Sequence, residues 1–146
     1  MKFVEKITHS EEETVGVAQE IVKAIKAPAI LTLTGDLGAG KTVFSRGFAR
    51  ALGVTDHISS PTFTIVQEYD IPQGTLYHMD LYRISSDEEA ISFGIEEFLN
   101  DPHAINLIEW PQRLEWLLPE TVIPIEISHV SEFERKLRYP VLGGEE

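Results

Sequence analysis

A glycine-rich run that ends in lysine and threonine is the most chemically specific feature of the sequence. Residues 35–42 read Gly-Asp-Leu-Gly-Ala-Gly-Lys-Thr and match the pattern G-x-x-x-x-G-K-[ST] in full. Glycines let successive backbone N–H groups turn toward an anion, the lysine reaches the β- and γ-phosphates, and the threonine hydroxyl binds Mg²⁺. The run follows an apolar segment and opens a helical one, which is the context that the motif requires. The sequence therefore predicts a phosphate-binding loop centred on Lys41 and Thr42.

Two acidic residues stand at the ends of predicted strands, where a nucleotide site needs them. Asp80 lies near the end of the strand predicted over 75–82, and Glu109 ends the apolar run 104–109. Alternation along the first strand places His78 and Asp80 on one face. An acid at the end of a buried strand is costly unless it is paired or metal-bound. We therefore expect both acids to serve Mg²⁺ or its water shell, with a structural hydrogen-bonding role as the alternative.

Thr62, Trp110 and the histidines give less specific signals. Thr62 lies in the segment Ser-Pro-Thr-Phe-Thr at 60–64, so it either senses the γ-phosphate or metal, as switch loops do, or simply leads into a strand. Trp110 is either a core anchor or a contact to the ligand. The histidines show no metal-site spacing and are interpreted as structural or surface residues; they are His9, His57, His78, His103 and His129.

Composition excludes several classes of protein. The chain has 146 residues and no cysteine, which removes disulfides, thiolate nucleophiles and Cys-ligated metals. No Asp is followed by Gly three residues later and no Asn by Lys, so the guanine-recognition motifs of Ras-type GTPases are absent. No arginine-bearing lid of a small-molecule kinase is visible. With no apolar run long enough to span a bilayer, we expect a cytoplasmic protein without a membrane partner.

The charge is strongly negative and unevenly distributed. The net charge is −12; the first 55 residues carry seven Lys or Arg against six Asp or Glu, and the remainder carry five against eighteen. An acidic surface repels phosphate backbones, so direct nucleic-acid binding is disfavoured. Solubility alone explains such acidity, and the sharper hypothesis is docking on a basic partner through Glu88, Glu89, Glu96 and Glu97.

Helical and strand-like segments alternate along the chain, which predicts one α/β domain over 1–146. Ser10 and Glu13 form a predicted capping box ahead of a helix that is expected to end near Pro28. Strands are expected over 3–7, 29–34, 62–69, 75–82, 104–109, 122–128 and 135–142. Further helices are expected over 41–52, over 86–99 with a break at Gly94, and over 111–117. The expected architecture is a P-loop NTPase-like three-layer fold with a mixed parallel and antiparallel sheet.

Four motifs in this order resemble the TsaE family, formerly YjeE. They are the loop at 35–42, Ser-Pro-Thr-Phe-Thr at 60–64, His-Met-Asp-Leu-Tyr-Arg at 78–83 and Ile-Glu-Trp at 108–110. The resemblance implies a Mg²⁺-dependent ATPase, weak alone, that binds ATP or ADP. It further implies action on the TsaB–TsaD complex, which forms threonylcarbamoyladenosine at position 37 of tRNAs reading codons that begin with A. Contact with tRNA would then be indirect.

The same resemblance implies roles for individual residues. Lys41, Asp80, Glu109 and Thr62 are the expected catalytic set, and Thr42, Glu109 and Asp80 the expected metal ligands. The nucleotide would contact Glu11, Asp36, Leu37, Gly38, Ala39, Gly40, Lys41, Thr42, Val43 and Trp110. Two alternatives stay open from the residues alone, namely a small phosphotransferase (kinase) and a nucleotide-sensing interaction module without catalysis.

Overall fold

A computed structural model describes residues 2–36, 38–55 and 66–142, with the side chain of Arg113 outside that description. The strands are β1 (Phe3–Thr8), β2 (Ala29–Thr34), β3 (Val66–Ile71), β4 (Gly74–Asp80), β5 (Ala104–Glu109), β6 (Ile123–Ser131) and β7 (Glu134–Pro140). The α-helices are α1 (Glu11–Lys23), α2 (Lys41–Leu52), α3 (Asp87–Ser92) and α4 (Ile95–Leu99), and a 3₁₀ helix spans Pro111–Leu117. Among the helices in these ranges, none is long and apolar enough to cross a bilayer.

One mixed sheet contains these seven strands, in the order β1-β7-β6-β2-β5-β4-β3. β2 runs parallel to β5 and β6, and β4 runs parallel to β5. The pairs β1–β7, β6–β7 and β3–β4 are antiparallel. The predicted mixed sheet is therefore confirmed. Because β2, β4 and β5 are parallel, their carboxyl ends meet at one edge, where ligands bind in open α/β sheets.

Helices cover both faces of the sheet and give it three layers. On one face, α1 and α2 enclose a core whose largest fully buried side chains include Phe44, Phe48 and Leu33. On the other face, Met79 of β4 and Ile108 of β5 are completely buried in a second core. The second core also takes in side chains from α3, α4 and the 3₁₀ helix: Ala90, Ile95, Leu99 and Leu114. The predicted three-layer fold is confirmed.

Helix termini follow local chemistry, with two differences from the expectation for α1. The Ser10 hydroxyl accepts the Glu13 N–H at 3.1 Å, as a capping box requires. The Glu13 carboxylate, however, accepts the N–H of His9 at 2.7 Å rather than that of Ser10. This hydrogen bond is the leading cause of a lowered pKa for Glu13. The helix ends at Lys23, five residues before the end expected near Pro28, with Ala24 as its C-cap.

The predicted hairpin forms, with a tighter turn than expected. β3 and β4 pair from Ile71 with Gly74 to Val66 with Met79, so only two residues connect them. β4 ends at Asp80 instead of continuing to residue 82, because the Asp80 carboxylate accepts the Tyr82 N–H at 3.0 Å and turns the chain. The predicted strand start at 62–65 lies outside the described residues.

Candidate active site

The loop at 35–42 connects the carboxyl end of β2 to the first turn of α2. Gly38 and Gly40 have φ angles of 83° and 102°, in the left-handed region that glycine adopts without a Cβ clash. The N–H of Ala39 donates to the Asp36 carbonyl at 3.0 Å and tightens the turn. Leu37 lies outside the described residues. Left-handed glycines of this kind allow neighbouring backbone N–H groups to turn toward one anion.

The N-terminus of α2 carries no group of its own to satisfy its positive end. Gly40 is the N-cap and makes no side-chain hydrogen bond, and the first turn holds no acidic residue. By contrast, α1 and α3 each begin with a serine cap and three acidic residues. Backbone N–H groups at such an end attract phosphate. Thr42, in the same turn, is exposed.

Lys41 is the buried cation of the site. The residue is 7% exposed, and its Nζ lies 3.9 Å from the centroid of the Trp110 ring. Burial lowers the pKa of Lys41, and the nearby carboxylates of Glu109, Asp80 and Asp36 oppose that shift. The ammonium group is thus held among groups that favour its charge while being shielded from water.

Asp80 and Glu109 end neighbouring parallel strands and pair in register. Residues in register on adjacent strands point to the same side of a sheet. Leu107, two residues before Glu109, belongs to the core beneath α1 and α2, so both acids are on the α2 side. Glu109 is 8% exposed and Asp80 is partly exposed. The predicted alternation along β4 is confirmed, since Tyr77 and Met79 lie in the opposite core.

Trp110 packs against the second core and also borders the candidate site, while its predicted contact with a ligand stays a prediction. Its ring faces Lys41 and lies 4.9 Å from the ring centroid of Tyr82. Its backbone is left-handed, with φ 56° and ψ 60°, and it is the one residue other than glycine with a positive φ in the described ranges. Such a conformation costs about 1–3 kcal/mol and is concentrated at functional sites.

A cavity of about 320 Å³ adjoins the start of α2. Its lining includes Glu11 and Val43, two expected nucleotide contacts, together with Gly40 of the loop. The remaining walls come from the start of α1 with the two residues before it, from the β6–β7 turn and from β7: His9, Ser10, Thr14, Glu132, Phe133 and Arg135. The fold therefore brings Glu11 to the loop although 24 residues separate it from Asp36 in sequence order.

The structure gathers most of the expected site residues at one edge of the sheet. Asp36, Gly38, Ala39, Gly40, Lys41 and Thr42 form the loop and helix start, and Asp80, Glu109 and Trp110 follow the strand ends. The expectation for Thr62 lies outside the described residues, as does the one for Leu37. These roles stay predictions, because the placement of a side chain does not identify its ligand.

Sequence reasoning missed two neighbours of Glu109. His78, interpreted as a structural or surface residue, is 4% exposed, and its Nε2 lies 2.6 Å from Glu109 Oε2. Ser45 of α2 donates from Oγ to the same oxygen at 3.4 Å. The alternation that puts His78 on the face of Asp80 was the available signal. Ser45 could have been found from its position one helical turn after Lys41.

The oxygen donors fit a magnesium ion that is shared with phosphates. No three His, Asp or Glu side chains converge into a metal cage within the described ranges. Mg²⁺ does not require one, since it commonly binds one or two carboxylates together with substrate phosphates and waters. The two carboxylates in register and the threonine at the start of α2 are oxygen donors of that kind.

The fold and the loop define a class, that of three-layer P-loop NTPase-like α/β proteins. The family model described as "Threonylcarbamoyl adenosine biosynthesis protein TsaE" matches residues 8–137. The chain therefore belongs to the TsaE family of tRNA threonylcarbamoyladenosine biosynthesis proteins. The resemblance found in the four sequence motifs is confirmed.

Relatives match the chain along most of its length. The tRNA threonylcarbamoyladenosine biosynthesis protein TsaE of Bacillus subtilis (strain 168) is 38% identical over 143 residues, which cover 98% of this chain and 89% of that protein. The protein of the same name from Aquifex aeolicus (strain VF5) is 39% identical over 136 residues, covering 92% and 93%. The crystal structure of Bacillus subtilis YdiB matches with a TM-score of 0.79 at 35% identity, covering 97% of this chain and 87% of that one.

Proposed function

We propose that this protein binds ATP and ADP with Mg²⁺ and hydrolyses ATP as a subunit required for threonylcarbamoyladenosine formation at position 37 of tRNA. The observation that carries the proposal is the position of Lys41. A buried ammonium group stands at the start of α2, beside a left-handed glycine loop and two strand-end carboxylates. A cation, free N–H groups and acids in this order suit the polyphosphate and its metal.

The polyphosphate would occupy the loop, and the adenosine end the adjoining cavity. The uncapped N-terminus of α2 favours negative charge, and Lys41 would leave the Trp110 ring to contact phosphate oxygens. The cavity of about 320 Å³ begins at Gly40 and Val43, so it continues from the loop in the direction of Glu11. Its volume lies within the range of small-ligand sites.

Thr42, Asp80 and Glu109 are the residues that would hold the metal, directly or through water. Bound Mg²⁺ would neutralise charge on the phosphates as it does in other phosphoryl-transfer enzymes. The protein's own contribution is positioning. Lys41 orients the phosphates, Asp80 and Glu109 are fixed side by side by the register of β4 and β5, and Trp110 covers the ammonium group from one side.

The partner in this proposal is the TsaB–TsaD complex, which would hold the tRNA. An acidic subunit has no need to contact the nucleic acid itself. We define the acidic patch as the exposed carboxylates of Glu88, Glu96 and Glu97 on α3 and α4. Glu89 is left out of the patch because its carboxylate accepts hydrogen bonds from Ser85 and supports the start of α3.

Phosphate release from ATP, measured with and without the TsaB–TsaD complex and tRNA, tests the proposal. We expect slow release by the protein alone and faster release with its partners. Lys41→Ala should abolish nucleotide binding in calorimetry, and Glu109→Ala should retain some binding while hydrolysis falls. Lys23→Ala, which changes an exposed lysine at the end of α1, is the matched control and should behave as wild type.

The outcomes separate the proposal from its alternatives. Transfer of labelled phosphate to an acceptor would identify a phosphotransferase instead. Binding of ATP without phosphate release, even with partners present, would identify a nucleotide-sensing module. No heat from ADP or ATP in the presence of Mg²⁺ would refute all three.

A further inference from the structure

A buried hydrogen-bonded group stands behind the Glu109 carboxylate. Nε2 of His78 lies 2.6 Å from Glu109 Oε2, and Oγ of Ser45 lies 3.4 Å from the same atom. All three residues are more than nine-tenths buried, with exposures of 4%, 8% and 3% for His78, Glu109 and Ser45. Two contacts to one oxygen restrict how the carboxylate can rotate.

The fold sets this arrangement without help from a ligand. Parallel pairing of β4 with β5 places His78 beside Leu107 and Asp80 beside Glu109, so His78 lies one pleat below the paired acids on the same face. Ser45 follows Lys41 by four residues and therefore points from the same side of α2 toward the sheet. The three elements that carry the candidate site also carry this group.

Burial makes these contacts necessary. A carboxylate removed from water loses a large hydration free energy unless hydrogen bonds replace it. The carboxylate form of Glu109 only accepts hydrogen bonds, so Oγ of Ser45 donates to it, and Nε2 of His78 donates in the tautomer that carries its proton there. Removing one donor leaves the carboxylate buried with less compensation and with more rotational freedom, and its orientation toward the loop is then no longer fixed.

We propose that His78, assisted by Ser45, is the positioning residue that orients Glu109 for the metal–nucleotide complex. The inference rests on the proposed function, because it assumes that Glu109 serves bound Mg²⁺. His78 does not touch the nucleotide in this proposal and acts only through Glu109. Removing a group that orients a metal-binding side chain lowers metal affinity or activity by roughly 10–100-fold.

The test is the gain in ADP affinity that Mg²⁺ provides, measured by calorimetry in EDTA and then in excess Mg²⁺. His78→Leu removes the donor and should reduce the Mg²⁺-dependent gain about tenfold, while the Kd in EDTA stays near wild type. His78→Gln keeps an amide N–H near the position of Nε2 and should retain the gain within about threefold. Ser45→Ala should give a smaller loss than His78→Leu, because its contact is the longer one.

His103→Leu is the matched control. His103 is exposed and lies just before the opposite end of β5, so its change should leave both dissociation constants at wild-type values. A purely structural role for His78 would lower the melting temperature without changing the ratio of the two dissociation constants. The ratio therefore reports positioning separately from stability.

Failure of the inference and failure of the proposed function are distinguishable. If wild type shows no gain from Mg²⁺, the proposed metal-dependent function is wrong. If wild type shows the gain and His78→Leu keeps it, the positioning role of His78 is wrong. Should His78→Leu fail to fold, His78→Asn replaces it, because its amide is too short to reach Oε2; a full gain in that variant overturns the inference.

Discussion

Because the backbone at Trp110 is left-handed, glycine should stabilise the protein more than alanine at this position, which is the reverse of the order in a helix. Two substitutions, Trp110→Ala and Trp110→Gly, both remove the ring from Lys41 and Tyr82. The lost cation–π contact costs about 0.5–2 kcal/mol and the lost aromatic pair about 0.5–1.5 kcal/mol. Both variants should therefore be less stable than wild type.

Both variants lack the ring, so the difference in their free energies of unfolding reports the effect of the left-handed backbone alone. At φ 56° and ψ 60°, alanine still bears a left-handed penalty of about 1–2 kcal/mol, which glycine avoids. Glycine loses about 0.5–1 kcal/mol to the greater freedom of its unfolded chain. Glycine should therefore give the more stable variant by several tenths to about 1 kcal/mol, or up to roughly 4 °C in melting temperature for a chain of this size.

Thermal and urea unfolding of the ligand-free protein measure this difference. The control is the same pair of substitutions at Gln19, an exposed position inside α1. There the helical backbone favours alanine, and Gln19→Gly should be less stable than Gln19→Ala by about 1 kcal/mol. The strain argument is refuted if Trp110→Gly melts below Trp110→Ala.

Three further predictions concern the helix ends and the acidic patch. Ser10→Ala removes the cap of α1 and should lower the free energy of unfolding in urea by about 1 kcal/mol; an unchanged value contradicts the capping role. Gly40→Ala puts a Cβ on a left-handed loop residue and should weaken ADP binding in calorimetry, whereas Gly16→Ala within α1 should bind normally and gain up to about 1 kcal/mol of stability. Charge reversal of the acidic patch should weaken binding to the TsaB–TsaD complex most strongly at low salt, and equal affinity would exclude electrostatic docking there.

Local signals in the sequence were sufficient for the parts of the fold that depend on neighbouring residues. The apolar run at Ala29–Thr34 and the loop after it predicted β2 and α2 with their observed bounds, because a buried strand, a glycine turn and a helix start are all local patterns. Gly94 broke the helical stretch as expected, in a left-handed conformation. β4 ended early because a side chain, that of Asp80, captured the backbone N–H of Tyr82.

Contacts between distant segments were beyond those local patterns. Nothing in the spacing of the chain states that β4 lies beside β5, and that pairing alone brings His78 to Glu109. The cavity that joins Glu11 to Gly40 likewise depends on the packing of α1 against α2. The contact between His78 and Glu109 and the cavity beside Gly40 both depend on how distant segments pack together. Sequence periodicity does not encode that long-range packing.

The second core has a consequence for how the site tolerates change. Met79 immediately precedes Asp80, and Ile108 immediately precedes Glu109, and both apolar side chains are fully enclosed on the far side of the sheet. The buried side chain of the preceding residue therefore fixes the backbone position of each acid. Ile108→Val would leave a void on that side of β5 and should displace the neighbouring Glu109 carboxylate. We therefore expect substitutions in the second core to impair the proposed ATP hydrolysis although these residues face away from the candidate site.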